Sequence, residues 1–198
     1  MAYRRTADVQ ARLDAHRQSL VSAATAQLGE HGYAGCSIVD VARRAGVASG
    51  TVYNHFSGKA ELVTEVLRTV VGHEVDAVAA AVEKEPDAAR RIVALVETFA
   101  TRALKSPRLA YALLVEPVDP VVDELRLQFR TAFRDLAAEV VAAGVRTGEL
   151  PPQSPGVVAA ALIGAIGEAL VGPLSGDPDP SAVTALVDFA LRALGARK

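Results

Sequence analysis

The chain has little with which to cross-link or clamp itself: one cysteine (Cys36), one methionine, no tryptophan, and aromatic residues at only 5%. A lone cysteine excludes an intrachain disulfide framework and a cysteine-based zinc cluster, and it fits a reducing, cytoplasmic setting. His16, His31, His55 and His73 lack the spacing of a helical metal pair, and Glu83 and Glu85 lie on a charged, solvated stretch. Neither a metal site nor a catalytic carboxylate pair is expected. There is no phosphate-cradling glycine loop and no nucleophile elbow, so the chain does not read as an enzyme and calls for no cofactor. The start MAYRRTADVQ has no apolar signal-peptide core. The stretch after Leu150 is uncharged up to Glu168, but Pro151, Pro152 and Pro155 break its beginning, leaving it too short and interrupted for a comfortable membrane span.

What is present is helix-forming. Apolar residues make up 51% of the 198, with Ala, Leu and Val abundant, a mixture that favours helix over strand. Net charge is −2 at neutral pH, but it is unevenly spread. Residues 1–59 carry seven bases (Arg4, Arg5, Arg12, Arg17, Arg43, Arg44 and Lys59) against four acids (Asp8, Asp14, Glu30 and Asp40). The remainder is acidic. Only the front of the chain is therefore suited to a polyanion.

Apolar spacing predicts about nine helices and no strand. The first spans Val9 to Glu30 and stops at His31-Gly32; a second opens at Ser37, where Ser37 and Asp40 form a capping pair, and closes at Gly46. A third runs from Ala48–Thr51 to about Phe56, and Ser57-Gly58 leads into a long fourth carrying Leu62, Val63, Val66, Leu67, Val70 and Val71. Five more follow: Asp87 to Leu104, Ser106 to Val115, Val121 to Arg146, Pro155 to about Val171, and Ser181 to Leu194.

Residues 37–56 have the mechanics of a helix-turn-helix. Small Ala42 allows a close crossing, Gly46 permits the turn, and Val41, Val47 and Val52 supply a small core. The run from Ala42 to Leu62, ARRAGVASGTVYNHFSGKAEL, resembles the signature of the TetR family of bacterial regulators, in which A-G-V, G-T-hydrophobic-Y, H-F and a Lys before Glu-Leu recur in that order. The close likeness spans roughly Leu20 to Leu67. Beyond it the likeness is architectural.

The resemblance implies an all-α protein with a helix-turn-helix DNA-binding domain over residues 1–60, joined through the long fourth helix to a ligand-binding and dimerisation domain over 61–198. It implies that Ser37 and Thr51 lie near phosphates, that Tyr53 and His55 contact the DNA backbone, and that Lys59 does so from the start of the fourth helix. Base reading then falls to Ser49, Asn54 and Ile38, because an amide pairs with adenine and an aliphatic group touches a thymine methyl. Ala48 and Cys36 stand where the family often has hydroxyl residues, so Ser49 is the alternative cap. On their residue types alone Tyr53 could pack in the core and His55 could be merely solvated; Phe56 is assigned to the core.

The Pro155–Val171 helix is apolar nearly all round and rich in small residues, among them Ala160, Gly164 and Gly167 beside Leu170. Such a helix must be covered on several sides. The expected cover is the Ser181–Leu194 helix and the same pair from a second chain, although burial within one chain satisfies the same pattern. Phe99, Tyr111, Phe129 and Phe133 lie on the middle helices, where the resemblance implies a ligand pocket. No charged cluster marks it, which points to an apolar or aromatic effector. The resulting expectation is a ligand-responsive regulator, most simply a repressor, that binds a palindromic double-stranded operator as a homodimer. The other reading is a sensing module whose helix-turn-helix has lost specific DNA affinity.

Overall fold

The computed structural model describes residues 7–177 and 179–196, and all the regular structure among them is helical. Arg4 and Arg5, counted above in the basic front, lie outside the described residues. In chain order the helices are α1 (Ala7–Gly35), α2 (Ile38–Arg44), α3 (Ser49–Tyr53), α4 (Lys59–Glu83), α5 (Ala88–Lys105), α6 (Pro107–Leu114), α7 (Pro120–Thr147), α8 (Pro155–Ala169), α9 (Val171–Ser175) and α10 (Ala182–Leu194). α9 continues α8 past Leu170, so the count is nine if the two are taken as one bent helix.

Local chemistry sets the ends. The Ser37 hydroxyl accepts from the Asp40 amide at 3.1 Å and caps α2. Gly46, at φ 70°, makes the turn after α2, with the Val47 amide closing back on the Ala42 carbonyl at 3.0 Å. The Glu61 carboxylate accepts from both the amide (2.6 Å) and the hydroxyl (2.7 Å) of Ser57, fixing the entry to α4. Asp87 caps α5, and prolines occupy the first turn of α6, α7 and α8, where a missing amide donor costs nothing.

The first helix departs from the sequence reading. Its end at Gly32 is a break rather than a stop: Gly32 adopts φ 70°, ψ −176°, and a further turn runs to Gly35. That conformation is available to glycine and strained for other residues. The Tyr33 amide that follows donates to the carboxylate of Glu116, far along the chain.

Buried apolar side chains form one contiguous cluster from Leu20 to Leu194. α4 threads it, burying Leu62, Val63 and Val66 at the end that packs on α1, and Val78 and Val82 at the other, where α5 and α7 lie against it. α1 also packs along α6, and α8 lies between α7 and α10. α8 buries Ala159, Leu162 and Ile166 while leaving Val157, Ala160, Ala161, Gly164 and Gly167 exposed. With α9 it makes a run of 21 residues that is long and apolar enough to cross a membrane by length and composition, longer than the sequence reading allowed, and only 28% of its apolar 18-residue window is buried.

Candidate functional site

Two regions stand out, a small surface at the α2–α3 end and a cavity among the middle helices. At the first, Val52 and Phe56 are buried and anchor α3, and the Arg17 guanidinium lies 4.7 Å from the Phe56 ring centroid while pairing with Glu65 at 2.8 Å. This clamp joins α1, the end of α3 and α4. What α3 leaves outward is Tyr53, 57% exposed, together with Asn54. The core alternative for Tyr53 therefore fails. Ser49, Thr51 and His55 are half-buried beside them.

Two residues assigned to DNA contact serve other purposes in the free chain. Ile38 is buried in the helix-turn-helix core, because the first turn of α2 points it inward; its neighbour Val39 is outward instead. The Ser37 hydroxyl is used by the α2 cap, donating to the Asp40 carboxylate at 2.5 Å as well as accepting its amide, and this holds the Asp40 carboxyl below the usual carboxylate range. Ser49 does not cap α3. Ala48 stands at that position, so α3 begins with no side-chain cap bond.

The cations are placed rather than loose. Arg44 makes two bonds to Glu30, at 2.6 and 2.7 Å, and Arg43 bonds Asp40 at 2.7 Å, so much of the basic excess of this end is neutralised locally. Lys59 Nζ sits 4.2 Å above the centre of the Tyr33 ring. The Tyr33 hydroxyl donates to the Asp119 carboxylate; burial and that bond push the phenol up to about 12. Cys36, buried beside this group, has its thiol raised by burial.

The second region is a cavity of about 370 Å³ bounded by α4, α5, α7, α8 and α9 and the end of α6. Small-molecule sites commonly have volumes of about 300–1,000 Å³. Leu67 and Val71 of α4, Leu95 and Phe99 of α5, and Phe129 and Phe133 of α7 make an apolar wall. A second cavity of about 290 Å³ adjoins it, sharing Val71, Phe99, Leu114 and Phe133. The Phe99 and Phe133 rings meet edge to face, 5.0 Å between centres, at the junction of the two.

Of the four aromatics expected there, Phe99, Phe129 and Phe133 line the larger cavity. Tyr111 does not: it packs against the core outside both linings, and α6 offers Leu114 and Val115 instead. Nor is the larger cavity free of charge. Arg126, Arg130 and Glu168 line it, a feature missed because α7 is evenly sprinkled with arginines and only packing shows which of them turn inward. The Arg126 side chain is just 11% exposed and donates to the carbonyls of Leu113 (2.8 Å) and Glu116 (3.0 Å), with Asp123 3.3 Å away. Burial lowers its proton affinity from the usual guanidinium range.

Gly164 and Gly167, expected at a subunit interface, are exposed and also border this cavity, and Ala160 is exposed nearby. Leu170 is not available to a partner. It is fully buried at the α8–α9 bend, where the inward side of the helix changes direction.

Comparison with known proteins places this architecture. Residues 20–66 match the family model described as bacterial regulatory proteins, tetR family. The chain is 29% identical over 136 residues to the HTH-type transcriptional repressor KstR2 of Rhodococcus jostii (67% of this chain, 66% of that one). It is 36% identical over 86 residues to the HTH-type transcriptional activator FasR of Mycolicibacterium smegmatis (43% and 39%). These alignments thus cover less than two thirds of either relative. Among solved structures, the fatty acid degradation regulator FadR of Bacillus halodurans superposes with a TM-score of 0.79 at 19% identity, over 92% of this chain and 97% of that one. FadR of Bacillus subtilis, solved in complex with stearoyl-CoA, gives 0.79 at 17% over 91% and 99%. The chain thus carries the helix-turn-helix segment of the tetR family over residues 20–66, matches relatives that are transcriptional regulators, and shares along nearly its whole length the helical fold of such regulators.

Proposed function

We propose that the protein is a ligand-responsive repressor that holds a palindromic operator as a homodimer and releases it when an anionic amphiphile enters the cavity. Residues 1–60 form the DNA-binding unit and 61–198 the sensing and pairing unit. The observation that carries the effector reading is the cavity itself: an apolar wall with two cations, Arg126 and Arg130, against one acid, Glu168, in the lining. An apolar chain gains by leaving water there, and a carboxylate or phosphate gains charge-assisted bonds from a guanidinium. This revises the expected apolar or aromatic effector to one with an acidic head. Stearoyl-CoA, bound by the Bacillus subtilis FadR, has this chemistry.

Pairing is supported by the face that α8 and α10 leave uncovered. Val157 is 70% exposed and Phe189 42%, with Ala160, Ala161, Gly164 and Gly167 between, and a large apolar patch on one chain is a docking surface for another. On the DNA side, the outward Tyr53 and Asn54, flanked by Ser49, Thr51, His55 and Lys59, form the contact set, with Asn54 and Ser49 reading bases and the others meeting phosphates.

The test is selection of bound fragments from random duplex DNA, followed by competition with stearoyl-CoA, stearate and the neutral alcohol of the same chain. A palindromic fragment released by the two anions and not by the alcohol is expected. No sequence preference would overturn the operator reading, and release by the alcohol alone would overturn the anionic one.

A further inference from the structure

We infer that Arg126 is the positioning residue through which occupancy of the cavity reaches the DNA-binding unit, by way of a latch made of Glu116, Asp119, Gly32 and Tyr33. The inference rests on the effector reading above. Its starting point is an imbalance at Arg126: a buried guanidinium whose nearest bonds go to neutral main-chain carbonyls, those of Leu113 and Glu116, with Asp123 as the more distant carboxylate. Those carbonyls terminate α6 and begin the turn to α7. Arg126 therefore pins that turn from its cavity side.

The other side of the same turn grips α1. The Glu116 carboxylate accepts the Tyr33 amide, and Asp119 accepts the Tyr33 hydroxyl. The grip depends on the break at Gly32, since a Cβ there would stand 2.8 Å from Glu116 Oε2 and the φ of 70° is itself a glycine conformation. Tyr33 in turn carries Lys59 on its ring, at the first residue of α4. A continuous path of named contacts runs from the cavity to the surface that faces DNA: Arg126, the Glu116 carbonyl, the Glu116 carboxylate, the Tyr33 amide, the Tyr33 ring and Lys59.

An acidic head group in the cavity competes for Arg126. A bidentate pair with an anion adds charge–charge attraction to the guanidinium's hydrogen bonds, which neutral carbonyls do not offer. Arg126 turns to the anion, the carbonyls of Leu113 and Glu116 lose their donor, and the 115–119 turn loosens its hold on Tyr33. α1 and the start of α4 are then free to shift. Coupling of this kind requires that the ligand interact differently with the latched and unlatched states, and Arg126 supplies that difference.

Amide hydrogen exchange on the full-length protein, with stearoyl-CoA as the probe and its binding followed separately by calorimetry, tests the latch. In the native protein, saturating stearoyl-CoA is expected to speed exchange at Tyr33 and across 113–119 at least fivefold. In Glu116→Ala, which leaves the cavity lining intact, Tyr33 should exchange fast already, stearoyl-CoA should bind within about twofold of native, and its effect on affinity for the selected DNA fragment should shrink towards none. Binding of stearoyl-CoA with unchanged exchange at Tyr33, or Glu116→Ala retaining the native effect on DNA affinity, would overturn the latch while leaving the effector reading in place. Failure of the native protein to bind stearoyl-CoA or stearate at all would overturn that reading and the latch with it.

Discussion

Lys59 Nζ rests 4.2 Å above the ring of Tyr33, so the cation at the start of α4 is steadied by a residue of α1. The same ring is tied through its hydroxyl to Asp119. A charge that could otherwise sweep a wide arc is thereby held at a set place relative to α3, where a phosphate partner would meet it.

Replacing Lys59 with alanine is expected to weaken binding to every duplex alike and to lower the salt-dependence slope by about 0.9, the loss of one phosphate contact. Asn54→Ala should instead relax base preference at one position in each half-site. Titrations at several salt concentrations, together with selection on the two variants, separate the effects. If both substitutions change affinity alone, the division into phosphate and base contacts is wrong.

Gly32→Ala should destabilise the fold. The φ of 70° costs a non-glycine residue about 1–3 kcal/mol, and the added Cβ pushes on the Glu116 carboxylate. Urea unfolding is the measurement. A midpoint unchanged from native would show that the break in α1 tolerates a side chain.

Alkaline stability should carry the signature of Tyr33. Its phenol ionises near 12 in the fold against about 10 in an unfolded chain, because burial and Asp119 favour the protonated form. The contribution is present below pH 10 and is lost as pH rises through 12. Between pH 9 and 11.5 the native protein should therefore lose more stability than Tyr33→Phe, which has no such proton to release. Parallel decline in the two would remove Tyr33 from the account.

Gly164→Leu tests pairing, since among the described residues no atom beyond its own helix backbone and chain neighbours lies within 4 Å of a Cβ built there. A single chain accommodates the side chain, whereas a closely packed partner helix would be overpacked at a cost of about 1–3 kcal/mol. Sedimentation should show the variant dissociating at higher concentration than native. Identical dissociation would move the interface off this face of α8.

The sequence by itself determined the helices and the motif, because their causes are local. Ser37 and Asp40 make a cap within one turn, Gly46 makes its own turn, and Val41, Val52 and Phe56 mark the buried side of a helix pair by spacing alone. Phe99, Phe129 and Phe133 were expected at the cavity from the family resemblance, along with Tyr111, and packing put only the three phenylalanines in its lining. Only the tertiary structure decided matters that depend on which side of a helix meets which neighbour. Periodicity does not say that Arg126 turns into the cavity while Tyr111 turns from it, that the α8–α9 bend buries Leu170, or that Ile38 faces in and Val39 out. It is silent too on Glu116 and Asp119, which lie more than 80 residues from Tyr33 in the chain yet hold its amide and its hydroxyl. Such contacts are made by chain segments brought together in packing, and no local pattern encodes the meeting of two distant segments.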